Sequence, residues 1–149
     1  MADTNIHANR EPLQPELRAY VSFDRLPPNC IAFVVQNEES FPHLRPGEIA
    51  IVDTEQRDPV RNELFLVEYG RSSRPCRCVA ELWTRQHRNS DGEFTGWWSG
   101  AYARRREAVF GRRIACDGPL LEQDMKDVVL GRVVGILESI IEEPKRLAA

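Results

Sequence analysis

Residues 33–53 read Phe33-Val34-Val35-Gln36-Asn37-Glu38-Glu39-Ser40-Phe41-Pro42-His43-Leu44-Arg45-Pro46-Gly47-Glu48-Ile49-Ala50-Ile51-Val52-Asp53. The stretch begins and ends with short runs rich in β-branched and aromatic residues, a composition that favours strands. The prolines and the glycine between these runs leave no room for a helix of normal length. The stretch therefore predicts two strands joined by a polar connection. An acidic pair and a serine lie where the first strand ends, a place where binding and catalytic groups are often found.

The size and composition of the chain fit one globular domain. It has 149 residues, of which 42% are hydrophobic, and a net charge of −3, so it has enough apolar material for a core. No apolar run reaches the length of a membrane span, about 20 residues, and the N-terminus lacks an apolar signal core. We therefore expect a cytoplasmic protein without a membrane segment, in which the four cysteines are reduced thiols.

Strand-like segments follow one another along most of the chain. We expect a flexible polar arm over residues 1–15, a domain over 16–138 and a charged tail over 139–149. Within the domain the pattern predicts a short strand at 17–23, a hairpin of 63–69 with 76–83, a turn at 89–92, a strand at 108–116, a turn at 117–119, a short helical turn at 120–126 and a long strand at 128–137. The predicted fold is a mostly β single domain, a coiled antiparallel sheet with short helical turns.

The stretch from Val35 to Asp53 resembles the nucleophile segment of the LexA-like self-cleaving repressors, a serine peptidase superfamily related to the signal peptidases. That family's pattern is Val-x-Gly-Asp-Ser-Met-x-Pro, an apolar residue, Gly-Asp and a strand ending in Val-Asp. The matching positions here are Val35, Asn37, Glu38, Pro42, Leu44, Gly47, Glu48 and Asp53. A second island, Gly131-Arg132-Val133-Val134-Gly135, is similar to the family's closing strand. The resemblance implies the peptidase fold.

The two positions that carry the family's chemistry hold other residues. The nucleophile position falls on Glu39 and the lysine position on Ala80, within Val79-Ala80-Glu81-Leu82. A serine–lysine pair works because a desolvated lysine loses its proton and activates the hydroxyl. The only lysines are Lys126 and Lys145, so a shifted alignment does not supply one. The resemblance thus implies a catalytically dead member, whose former cleft is lined by Glu38, Glu39, Ser40, Pro42 and Ala80.

Two functions of different classes follow. The first is a regulatory or protein-interaction module in bacterial or phage regulation, which binds a protein or peptide without cleaving it. The second is an active serine peptidase with a rearranged nucleophile, Ser40, for which His43 is the candidate base. An isolated histidine beside a serine in a proline-rich turn is more often a surface residue, so the first function is favoured.

No metal or cofactor is expected. Cys76 and Cys78 share one face of a predicted strand because side chains alternate. No second cysteine or histidine pair has zinc-site spacing, although His43 and His87 lie in the same part of the sequence. The cysteines are therefore interpreted as small apolar side chains.

A nucleic-acid surface has one candidate, formed by Trp97, Trp98 and the run Arg104, Arg105 and Arg106. Aromatic residues beside arginines can stack bases and hold phosphates. The chain is negatively charged overall, and the alternative is that one tryptophan packs inward while the arginines form a solvated rim. We favour the alternative and expect no direct, specific nucleic-acid binding.

The closing strand also predicts an assembly. The related repressors dimerise partly through their C-terminal strand. Residues 128–137 are long and apolar enough to leave a sheet edge that needs cover. We therefore expect a homodimer.

Overall fold

A computed structural model describes residues 20–36, 40, 43–70, 75–102 and 113–138. These residues form eight strands and one short helix. The strands are β1 (Ser22–Phe23), β2 (Cys30–Val34), β3 (Ile49–Asp53), β4 (Leu64–Tyr69), β5 (Cys76–Asn89), β6 (Gly92–Tyr102), β7 (Arg113–Leu120) and β8 (Val129–Leu137), and the helix α1 (Glu122–Val128) precedes β8. The mostly β single-domain class predicted from the sequence is confirmed. No helix in these ranges has the length and apolar character needed to cross a bilayer.

The strands form one open sheet in the order β2-β3-β8-β4-β5-β6-β7, and β1 pairs with β8 beside this path. All pairs are antiparallel except β1 with β8, which is parallel. Strand β8 lies between β3 and β4, so the C-terminal strand is not a sheet edge. The expectation that it leaves an edge for dimerisation is wrong, because β3 and the pair β1 and β4 occupy its two sides. The two edges of the path are β2 and β7.

The core has two parts, one on each face of the sheet. Alternate residues of β4 enter different parts because successive side chains in a strand point to opposite faces. The first-face cluster contains Val35, Leu44, Ala50, Val52, Leu64, Leu66, Val79 and Val133. The second-face cluster contains Phe65, Val67, Ala80, Leu82, Trp97, Met125 and Val129. Strand β4 is therefore buried on both faces, and α1 contributes Met125 to the cover of the second face.

Hairpin β5–β6 confirms the turn predicted at residues 89–92. Asn89 pairs with Gly92, so Ser90 and Asp91 form a two-residue connection. Gly92 has φ 118° and Asp91 N–H donates to Asn89 Oδ1 over 2.9 Å. Glycine adopts such a φ without the steric cost that a Cβ would add. Strand β5 runs on to Asn89, six residues beyond the predicted end at Trp83.

Strand β7 departs from the prediction. It begins at Arg113 within the described residues, and residues 108–112 of the predicted strand lie outside them. The turn predicted at 117–119 is wrong, because Asp117, Gly118 and Pro119 belong to β7. The register between β6 and β7 shifts twice near these residues, and such irregularities accommodate glycine and proline within an edge strand.

Candidate functional site

Ser40 is part of the connection between β2 and β3, and it joins this connection to β5. Its hydroxyl donates a hydrogen bond of 2.9 Å to the backbone carbonyl of Val79. Its own carbonyl accepts hydrogen bonds from the N–H groups of His43 at 2.9 Å and Leu44 at 3.0 Å. Only 4% of Ser40 is exposed. Ser40 therefore anchors a turn to the neighbouring strand, and its hydroxyl proton is directed at an amide carbonyl.

The bond to Val79 brings Ser40 beside the strand in which the resemblance places the family's lysine. The side chain at that position points the other way. Ala80 pairs with Phe65 and packs in the second-face cluster, whereas Val79 packs with Leu44 in the first-face cluster. A lysine at position 80 would consequently enter the second-face core. The structure brings Ser40 and Val79 together, and it places the Ala80 side chain on the opposite face of the sheet.

Three of the predicted cleft-lining residues, Glu38, Glu39 and Pro42, lie outside the described residues. Two buried ionisable residues lie in this part of the molecule instead. His43 is 7% exposed and Glu81 is 4% exposed. Glu81 lies two residues beyond Val79 on β5, so the two side chains share a strand face. The predicted surface position of His43 is wrong, because His43 lies in the turn fastened by Ser40.

The sequence did not single out Glu81, which lies within an apolar strand. The available sequence signal was the apolar character of its neighbours Val79, Leu82 and Trp83, all of which are buried in the structure. A charged residue within such an apolar strand is itself expected to be enclosed. Charged residues are rarely buried without interactions. Glu81 is therefore a polar element of the fold that composition and spacing alone did not reveal.

The tryptophan pair is divided between the two faces of β6. Trp97 is 8% exposed and belongs to the second-face cluster. Trp98 is partly buried, and its Nε1–H donates a hydrogen bond of 2.9 Å to His87 Nε2. The His87 ring stacks on Phe94 with a centroid distance of 5.4 Å. One tryptophan therefore packs inward, and the two rings do not form a common stacking surface. Arg104, Arg105 and Arg106 lie outside the described residues.

A cleft of about 720 Å³ lies between the end of β4, strand β7, helix α1 and the start of β8. Its lining combines four carboxylates with an apolar part and comprises Glu68, Tyr69, Gly70, Asp117, Leu120, Asp124, Asp127, Val128 and Leu130. Arg77 Nε contacts Glu68 over 2.7 Å, and the Tyr69 hydroxyl is hydrogen-bonded to that of Ser99. Negative potential in a cleft repels phosphate groups, so this cleft does not suit a nucleic-acid backbone. The sequence did not predict it, because its residues come from four separate elements.

The Cys30 thiol lies close to two carboxylates. Partial burial raises the pKa of Cys30, and the negative charges of Asp53 and Glu55 raise it further. Asp53 lies opposite Cys30 in the β2–β3 ladder. Since the thiolate is the reactive form, Cys30 is expected to react slowly at neutral pH. Among the described residues, no group of His, Cys, Asp or Glu is arranged to hold a metal ion.

We expect Asp53→Asn to lower the pKa of Cys30, because the change removes one of the charges that oppose thiolate formation. The thiolate fraction at a fixed mildly alkaline pH then rises, and alkylation of Cys30 accelerates. Mass-spectrometric rates of iodoacetamide labelling across a pH series measure this shift. Asp58→Asn is the matched control, since Asp58 pairs with Lys126 over 3.1 Å and is not among the charges acting on Cys30. An unchanged labelling midpoint in Asp53→Asn would contradict the electrostatic explanation.

No family model, curated protein or solved structure matches the chain.

Proposed function

We propose that the protein is a non-catalytic member of the LexA-like peptidase class that acts as a regulatory or protein-interaction module in the cytoplasm. The observation that carries the proposal is the hydrogen bonding of Ser40, whose buried hydroxyl donates to the Val79 carbonyl. Ser40 is the serine that the competing peptidase hypothesis needs as its nucleophile. Its role in the structure is to hold a turn.

Nucleophilic catalysis by serine requires a neighbouring base and access for the substrate carbonyl. An amide carbonyl accepts a hydrogen bond but does not remove the proton at neutral pH. At 4% exposure, Ser40 offers no surface on which a peptide bond can reach its Oγ without first opening the turn. Ala80 supplies no amine and faces the other core. These features favour the interaction module over the peptidase.

The form of the sheet supports an interaction role. The path of seven strands is open, and its β2 edge carries exposed apolar side chains, including Ile31 and Val34. An open apolar edge is a common means of binding another chain through backbone hydrogen bonds. The cytoplasmic assignment is supported by Cys30 and Cys76, which are free thiols in the structure, as is usual in a reducing compartment.

The test is Ser40→Ala, assayed for both stability and hydrolysis. We expect the wild type to show no labelling by a fluorophosphonate probe and no self-cleavage at alkaline pH. We expect Ser40→Ala to lose about 1 to 2 kcal/mol of unfolding free energy, because one buried hydrogen bond disappears and the Val79 carbonyl loses a donor. Urea denaturation followed by tryptophan fluorescence measures the loss.

Ser90→Ala provides the matched control, because Ser90 is exposed in the β5–β6 turn. Its effect on stability is expected to stay within about 0.5 kcal/mol. Wild-type hydrolysis that disappears in Ser40→Ala without loss of stability would identify Ser40 as a nucleophile, and the proposal would then fail.

A further inference from the structure

Strand β2 forms one edge of the sheet, and its outer side pairs with no other strand in the part of the chain that the structure describes. Its register with β3 is unbroken from Cys30 to Val34. Ile31 is 37% exposed and Val34 is 50% exposed, and Ala32 between them is also exposed. The strand contains no charged residue and no proline. Natural edge strands usually carry such residues to prevent pairing with another chain.

The opposite edge of the sheet is built differently. Strand β7 shifts register twice against β6. Pro119 has no N–H to donate, and Gly118 has φ 136°, a conformation that interrupts a regular strand. Asp117 adds a charge. Bulges, proline and charge are the features that protect an edge from further pairing. The two edges thus differ, since β7 is protected against further strand pairing, whereas β2 is regular and open to it.

The hydrogen bonds around β2 establish which backbone groups face outward. Val35 N–H donates to Glu48 O at 2.9 Å, and Thr54 N–H donates to Asn29 O at 3.2 Å. In both bonds the residue on the β2 side, Val35 or Asn29, is odd-numbered and is bonded towards β3. Because backbone direction alternates along an antiparallel strand, the even-numbered residues direct their N–H and C=O groups away from β3.

The outward residues are therefore Cys30, Ala32 and Val34. The Cys30 N–H is already used, since it donates to Pro27 O at 3.3 Å. The open edge consequently offers the donors of Ala32 and Val34 and the acceptors of all three residues. Pro27 and Pro28 end the strand on one side, and after Val34 the chain turns into the connection held by Ser40. These limits restrict any added strand to a short segment.

We propose that β2 is the self-association surface of the protein and pairs antiparallel with β2 of a second copy about a twofold axis at Ala32. In this register Ala32 N–H donates to the carbonyl of the partner's Ala32, and Val34 N–H donates to the carbonyl of the partner's Cys30, each bond being repeated by symmetry. This arrangement does not require the Cys30 N–H, which already donates to Pro27 O. The inference rests on the interaction role proposed above.

A second copy suits this edge because the strand is complementary to itself. The paired strands contain no charged residues, so no like charges face each other. Ile31 lies opposite the partner's Phe33, an aliphatic–aromatic pair of the kind that stabilises sheets. The paired segment is short, so the interface is smaller than the roughly 800 Å² per partner of a standard stable complex. The dimer is therefore expected to dissociate in the micromolar range.

Ala32→Pro tests the proposal directly. It removes the central outward N–H, and it breaks no bond to β3 because that N–H points away from β3. Sedimentation of the full chain across the micromolar range should give a monomer–dimer equilibrium for the wild type. We expect the dissociation constant to rise by about tenfold or more in the variant, because two symmetry-related bonds are lost. Ala32→Ser keeps the backbone donor and should preserve the dimer.

A cross-link keeps the test informative if the proline variant does not fold. Residues opposite each other in a hydrogen-bonded antiparallel pair have Cα atoms about 5.5 Å apart, which is within disulfide range. Ala32→Cys in a Cys30→Ser background should therefore oxidise to a covalent dimer linked through position 32. Leu121→Cys in the same background, at a residue that is 55% exposed, should not give a covalent dimer linked through position 121.

Covalent dimer formation through position 32 together with the weakened equilibrium supports the inference. A wild type that stays monomeric across the micromolar range overturns it, as does a dimer that Ala32→Pro leaves unchanged and Ala32→Cys does not link. Both results concern assembly alone. The hydrolysis assay on Ser40→Ala decides the proposed function separately, so the two failures are distinguishable.

Discussion

Ala80→Lys is expected to destabilise the protein by about 3 to 5 kcal/mol, a large part of the roughly 5 to 15 kcal/mol that stabilises an ordinary domain. Ala80 is 3% exposed and packs in the second-face cluster between residues that include Phe65 and Leu82. A lysine there either buries an unpaired ammonium or gives up its proton, and both cost free energy. Its longer side chain also overpacks a filled core.

The same substitution at an exposed strand position provides the control. Ala32→Lys places the ammonium in solvent on β2, and its effect on the monomer is expected to stay within about 0.5 kcal/mol. Urea denaturation at low protein concentration compares the two variants without a contribution from association. Wild-type stability of Ala80→Lys would show that position 80 is not enclosed.

This result bears on the family resemblance. If the serine–lysine pair is rebuilt with Glu39→Ser and Ala80→Lys, the geometry predicts a damaged core instead of a catalytic base beside the β2–β3 connection. Side chains alternate along a strand, so a shift of one residue in the alignment moves the predicted lysine to the opposite face. Val79 and Glu81, the neighbours of Ala80, share the opposite face, and Ser40 is anchored to the backbone carbonyl of Val79.

The elements that the sequence predicted well depend on local signals. The Asn-Ser-Asp-Gly segment specifies a tight hairpin through its own backbone preferences, and the β-branched run of residues 128–137 gives strand β8. The central position of β8 was not predicted, because neighbours in a sheet are determined by pairing between segments distant in sequence. A long apolar strand fits an interior position at least as well as an edge.

The site residues also divide into those predicted from local signals and those that depend on contacts between distant segments. The separation of Trp97 from Trp98 follows from strand alternation and was one of the alternatives open from the sequence. The burial of His43 and Glu81 depends on which turn covers which strand, and their spacing along the chain carries no such information. Residues 117–119 were misassigned because glycine and proline usually end a strand, whereas in β7 an edge position and register shifts accommodate them.

Gly131→Ala is expected to cost about 2 to 3 kcal/mol of unfolding free energy, the upper part of the usual range for overpacking. Gly131 lies in β8 where the strand passes β3. A Cβ atom there would lie 2.5 Å from the carbonyl oxygen of Asp53, 2.7 Å from Val52 Cγ1 and 3.0 Å from the Asp53 carbonyl carbon. The clash is severe because two of the three contacts are to backbone atoms.

Backbone atoms of β3 have little freedom to move away. Asp53 pairs with Cys30 on one side and Arg132 on the other, so a shift of its carbonyl disturbs two ladders. The reduced flexibility of the unfolded chain that accompanies a glycine-to-alanine change offsets only about 0.4 to 1 kcal/mol. We therefore expect a clear net loss, measured as a lower urea midpoint with an unchanged denaturant slope.

A double change identifies which contact is responsible. Val52→Ala removes the Cγ1 atom that a new Cβ at position 131 would meet, but it leaves the Asp53 carbonyl in place. If the backbone contact dominates, the costs of Val52→Ala and Gly131→Ala are nearly additive, with a coupling below about 0.5 kcal/mol. A double variant more stable than Val52→Ala alone would place the obstruction in the Val52 side chain instead, and wild-type stability of Gly131→Ala would contradict the close packing of β8 against β3.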